Sequence, residues 1–167
     1  MTSFDAAMLI LRVGVGLVIL AHGVNHARGR EKTTNWFGGM GFRQAGLQWF
    51  LSTATEIGVG VFLIVGLLNS LAATGLVSVM VVAWWSVHRN NGFFIFRPGE
   101  GWEYVATLGL TGVVMAIAGP GEISIDNALG IAQDLDGWVG AALVVGGLVL
   151  AAGQLAVFFR PSEATDA

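Results

Sequence analysis

The chain has 167 residues, 54% of them apolar and 11% charged, with a net charge of −3, a mean hydropathy of +0.72 and no cysteine. Soluble domains carry roughly 25% charged residues, so this surface cannot face water everywhere and lipid must cover part of it. The lack of cysteine excludes disulfides, thiolate metal sites and any thiol relay within the chain, and the small negative charge gives no reason to expect nucleic acid as a partner.

Five apolar segments follow one another, at about 4–23, 47–68, 71–87, 102–119 and 138–159. Each comes within the range of roughly 17–25 residues that crosses a bilayer as a helix, and none alternates with period two. The expected fold is therefore all-α, a polytopic membrane helix bundle. The first segment lacks both a basic flank and a small-x-small cleavage site, so it reads as a retained helix. Only Asn69 and Ser70 separate the second from the third, which requires a tight antiparallel hairpin. Pro98-Gly99, Gly119-Pro120-Gly121 and Pro161 mark the later breaks.

Lys and Arg in the short connections set orientation. The loops after spans one and three and the C-terminal tail hold Arg28, Arg30, Lys32, Arg43, Arg89, Arg97 and Arg160, whereas the N-terminus, the 69–70 turn and the 120–137 loop hold none. The N-terminus is therefore expected outside and the C-terminus in the cytoplasm, in a bacterial inner or plasma membrane. The outer loop, 121–137, has two readings. It is either a short membrane-surface helix capped by Asp126, with Leu129 and Leu135 on the lipid, or a solvated connector.

Two charges fall mid-span, Arg12 in the first segment and Glu56 in the second. An isolated charge at that depth costs at least about 2.5–3.5 kcal/mol, so such groups face the bundle and have partners. Counting from His22 and from Leu47 places both roughly 13–15 Å below the cytoplasmic interface. A direct Arg12–Glu56 ion pair is therefore expected, either purely structural or with Glu56 also accepting a proton or ligand.

At 100° per residue, Gly16, Gly23 and His26 share the Arg12 side, with His22 further round. Trp49, Ser52, Thr53 and Gly60 share the Glu56 side, Trp84 lies one turn from His88, and Thr107 and Thr111 continue the face of Glu103. These polar stripes all run toward the cytoplasmic ends, which implies a bundle interior wetter on that side. The polar stretch "HRNNGFFIFRPGEGWEY", 88–104, would then form the rim of this cavity. The pocket candidates are His22, His26, Trp84, His88, Asn91, Phe93 and Glu103.

His22 and His26 at i, i+4 raise the question of a metal, but no HExxH and no second acid–His pair accompanies them, and none is expected. Ala142/Gly146 and Gly147/Ala151 are small-xxx-small pairs, suited to packing within the chain or to another membrane subunit.

The run "LRVGVGLVILAHGVNH", "NWFGGMGF", "ATEIGVGVFLIVGLLNSLAA", "VHRNNGFF", "GWEYVATLGL" and "GPGEISIDNALG" resembles the DoxX family of small bacterial membrane proteins, over roughly residues 8–130. The resemblance implies a four-helix membrane core, 1–130, to which 131–167 adds a further helix and a short tail. It carries over His22-Gly23, Glu56, His88 with Asn91-Gly92-Phe93-Phe94, and Trp102-Glu103-Tyr104. It also implies redox work at the membrane, linked to quinones or to oxidative stress, as a subunit of a larger complex or an oligomer.

Three functions follow as expectations. The first is a membrane subunit or partner of a redox system, with a cytoplasm-facing pocket for a quinone or similar amphiphile; His22, His88 and Glu103 would exchange protons with the head group, while Trp84 and Phe93 contact its ring. The second is a non-catalytic scaffold binding membrane or cytoplasmic proteins. A small-molecule transporter is the third and least favoured, for no discontinuous helix pair appears. No residue is assigned a catalytic role.

Overall fold

A computed structural model describes residues 2–161. In chain order its helices are α1 (Ser3–Arg28), α2 (Arg30–Gly39), α3 (Ala45–Val65), α4 (Asn69–Ala83), a π-helical turn (Trp84–His88), α5 (Glu103–Ala118), α6 (Ile125–Leu129), α7 (Ala132–Leu135) and α8 (Gly137–Phe158). The tail predicted beyond Pro161 lies outside the described residues.

The helix ends follow from local chemistry. Thr2 and Asp5 form a reciprocal capping box that starts α1. Gly66, at φ 68°, ends α3 in the left-handed conformation that costs glycine nothing. Leu68, at φ 46°, adopts the same conformation against side-chain preference, and this closes the α3–α4 hairpin in three residues.

Four helical stretches, Ser3–Arg28, Ala45–Val65, Asn69–His88 and Gly137–Phe158, are long and apolar enough to cross a membrane. The expected fourth span is shorter: α5 has 16 residues, about 24 Å of rise against a hydrocarbon core of about 30 Å. The segment 24–46, expected as a loop, is mostly helical. The first helix runs on to Arg28 and α2 folds back beneath the bundle. There Phe37 and Phe42 pack with Leu155 and Phe159 from the end of α8, and Arg43 N–H and Arg160 N–H donate to the carbonyls of Phe158 and Gly41.

Glycine sets the contact between α1 and α3. A Cβ on Gly60 would lie 2.8 Å from Leu20 Cα, and one on Gly23 2.9 Å from Ile57 N, so α1 and α3 meet backbone to backbone. The centre of the bundle is α4, whose Ala72, Ala73, Leu76, Val77 and Met80 are buried against α3, α5 and α8. The two small-residue pairs of α8 divide. Gly147 and Ala151 face inward, where a Cβ on Gly147 would meet Thr74 Cγ2 at 2.5 Å, while Ala142 and Gly146 face outward with open space at Gly146.

Antiparallel packing gives the molecule two chemically distinct ends. One carries all the basic residues except Arg12; the other carries Asp5, Glu122, Asp126, Asp134 and Asp136.

Candidate functional site

At the acidic end, Arg12 is only 1% exposed. Its Nε donates to Pro120 O at 3.1 Å, its Nη1 to Leu63 O and Ile64 O, both at 2.9 Å, and its Nη2 to Ile123 O. Leu63 and Ile64 belong to the last turn of α3, whose carbonyls have no intrahelical partner and whose dipole favours a cation. Asp126 does the converse at the start of α4. Its carboxylate accepts from Leu68 N at 2.7 Å and Asn69 N at 2.8 Å, while Ser124, not Asp126, caps α6. Asn69 and Ser70 then bond the Met115 and Ala116 carbonyls of α5, and Asp5 accepts from Glu122 N. Asp126 thus ties the 121–137 loop to the α3–α4 hairpin, while most of the rest of the loop, Leu129 included, is exposed or half-buried.

Arg12 and Glu56 do not pair. Gly23 lies against Glu56 and Ile57, so Arg12, eleven residues earlier, sits about 16 Å further along the helix. The sequence reading aligned helix ends near 23 and 47. Extension of α1 to Arg28 shifts the register and carries Arg12 to the far end of α3.

In the basic-end half the helices enclose a cavity of about 700 Å³, lined by α1, α2, α3, α4, the π-turn, α5 and α8. Glu56 is its buried charge, at 4% exposure. Ser52 Oγ donates to Glu56 Oε1 at 2.9 Å, and His26 Nδ1 stands 3.0 Å from Oε2. This last contact is close but off the hydrogen-bond axis, so both atoms keep unused bonding capacity. Trp49 fixes the same turn of α1 by donating to the His26 carbonyl.

Across the cavity, the π-turn carries His88 inward while Trp84 and Trp85 face out, with rings 5.9 Å apart. Such bulges commonly re-aim a side chain at a functional site. His88 Nδ1 lies 2.8 Å from the Glu100 carbonyl, which can only accept, so Nδ1 carries the proton. In the neutral ring Nε2 then accepts from Tyr104 OH at 2.7 Å. Glu100 holds φ 61°, a strained position for a side-chain-bearing residue, to present that carbonyl.

Of the seven expected pocket residues, His22, His26 and His88 line the cavity, together with Glu56. The other four do not. Asn91 Nδ2 closes its own loop on the carbonyls of Val87, Gly99 and Glu100, and Glu103 accepts from Ile95 N. Phe93 packs edge-on against Trp102, 4.7 Å away, and Trp84 faces outward. The polar stretch 88–104 thus serves mostly to fold itself. Lining residues that were missed include Trp36 of α2, whose helix was read as loop, and Gln154 of α8, which bonds Gln48 at 2.7 Å. A lone amide within an apolar span was the legible signal for Gln154. The His22 and His26 rings meet edge-on at 6.5 Å, and among the described residues no three His, Asp or Glu side chains gather as a metal set.

Residues 7–89 match the DoxX family model. Through this segment the chain belongs to the DoxX family. A Haemophilus influenzae relative, described only as an uncharacterized protein, is 24% identical over 143 residues, which cover 80% of this chain and 89% of the relative. No solved structure matches. The DoxX segment contains Arg12, His22, His26, Glu56 and His88, while Tyr104, Asp126 and Gln154, which complete the two ends, lie beyond it. The chain is thus a DoxX-family protein with several helices able to cross a membrane.

Proposed function

We propose that this DoxX protein is the membrane subunit or partner of a redox system in a bacterial plasma membrane, and that its cavity holds the head of a quinone-like amphiphile. The observation that carries the reading is the cavity itself. Its volume of about 700 Å³ falls within the range of roughly 300–1,000 Å³ usual for small-molecule sites, and a few convergent polar groups stand in a mainly apolar wall. Glu56 and His26 are the groups that would exchange protons with the head, and Trp36 the ring that would stack on it. Tyr104, oriented by His88, would fix its far side. Sparse contact between α1 and α5 suits entry from the lipid.

The basic end is read as cytoplasmic from the seven-to-none distribution of Lys and Arg over the connections. Helix α5 is read as a further crossing, because it packs along both α4 and α8 and its end is tied to the start of α4 by Asn69 and Ser70.

Extraction of protein purified from native membranes tests the reading: an isoprenoid quinone should co-purify, and Glu56→Gln should deplete it. Protein that carries no quinone, with respiratory and oxidative-stress phenotypes unmoved by Glu56→Gln and His26→Ala, would refute it.

The second reading, a scaffold, draws on the outward Ala142/Gly146 stripe of α8. Co-purification in mild detergent that Gly146→Leu abolishes would favour it over the first.

A further inference from the structure

The cavity wall has a marked hydrogen-bond polarity. Among the described residues no Lys or Arg lines it; its ionisable side chains are Glu56, His22, His26, His88 and Tyr104 and, at the rim, Glu100. Its hydroxyl hydrogens are largely engaged. Ser52 donates to Glu56, Ser78 to the Thr74 carbonyl, Ser86 to the Val82 carbonyl, and Tyr104 to His88. The group with the most unused capacity is the Glu56 carboxylate, which is more than nine-tenths buried with one oxygen lacking a hydrogen bond, while His26 Nδ1 beside it is also unsatisfied. A buried carboxylate without a full set of donors is costly, and a ligand that supplies a donor relieves that cost. A ligand that brings a second negative charge instead meets Glu56 in a medium of low dielectric, where no Lys or Arg among the described lining residues offsets it. Trp36 and Tyr104 add aromatic surface to the lining, which favours a flat or cationic group.

We infer that the cavity takes amphiphiles whose head group donates hydrogen bonds and carries no negative charge, such as a phenol or an amine, seated on the Glu56 carboxylate, and that it rejects anions. The inference rests on the same cavity as the proposed function and narrows its ligand to the reduced, quinol form, because a quinone's carbonyls only accept hydrogen bonds. It sets aside carboxylates and inorganic oxyanions as occupants.

Three soluble probes that share one ring, phenol, benzylamine and benzoate, test it on the full chain in nanodiscs of zwitterionic lipid. Affinity is read from ligand-dependent thermal stabilisation. Phenol and benzylamine should each bind at least about tenfold more tightly than benzoate, and Glu56→Gln should bring benzylamine to within about threefold of benzoate. Benzoate binding as tightly as benzylamine to the wild-type protein would overturn the inference, and this comparison does not depend on whether the variant folds. An unchanged preference in folded Glu56→Gln would overturn the role of Glu56. The two proposals fail separately. Protein free of quinone that still ranks benzylamine above benzoate keeps the ligand class and loses the redox reading. Quinone-bearing protein that accepts benzoate does the reverse.

Discussion

The two ends of the bundle bury charge in opposite ways. At the acidic end Arg12 and Asp126 are each met by backbone groups that a helix terminus leaves unpaired, so burial of a charge and closure of a hairpin satisfy each other. At the basic end Glu56 is buried almost as deeply, but it has one serine and a misaligned histidine for company. A charge with all its bonds made is a structural clamp. A charge with bonds to spare, facing a cavity, is a place for something else to bind.

That contrast fixes the order of mutational effects. Arg12→Met leaves the carbonyls of Leu63, Ile64 and Pro120 buried without donors and should cost the most, at least about 3 kcal/mol in denaturant or thermal unfolding in micelles. A variant as stable as the parent would show that the clamp carries no load. Gly60→Val should come next, at about 1–3 kcal/mol, because its side chain drives into the Leu20 backbone of α1. Gly146→Val, made in open space, is the matched control and should leave the unfolding midpoint unchanged. Asp126→Ala removes the acceptor at the start of α4 and should cost about 1–2 kcal/mol. Glu56→Gln should move stability least, within about 1 kcal/mol, while causing the largest loss of ligand. A Glu56→Gln protein that unfolds as readily as Arg12→Met would erase the distinction between the ends.

The sequence made the bundle legible because length and apolarity alone demand it, and the stops at Gly119-Pro120-Gly121 and Pro161 fall where the backbone requires them. The polar basic end was legible too, since His22, His26, Glu56 and His88 lie on helix faces that periodicity can track. The partner of Arg12 was not. Backbone carbonyls have no signature in a sequence, and the facing residue depends on where α1 ends, which five extra residues altered. Asp126 was noticed as a cap but given the nearer helix, because a contact to residues 68 and 69 is set by tertiary folding. Helix α2 was hidden by its polar start, "REKTTN", and with it Trp36. The π-turn leaves no trace in the residue pattern, so Trp84 was placed beside His88 in the cavity rather than on the outer face.

Labelling with a lipid-soluble carbodiimide, which modifies carboxyl groups reachable from an apolar phase, compares the two ends in one measurement. Peptide mass mapping after brief treatment in native membranes should find the adduct on Glu56, suppressed by benzylamine, with Asp126 unmodified under its two backbone N–H bonds. Modification of Asp126 with Glu56 untouched would contradict the account.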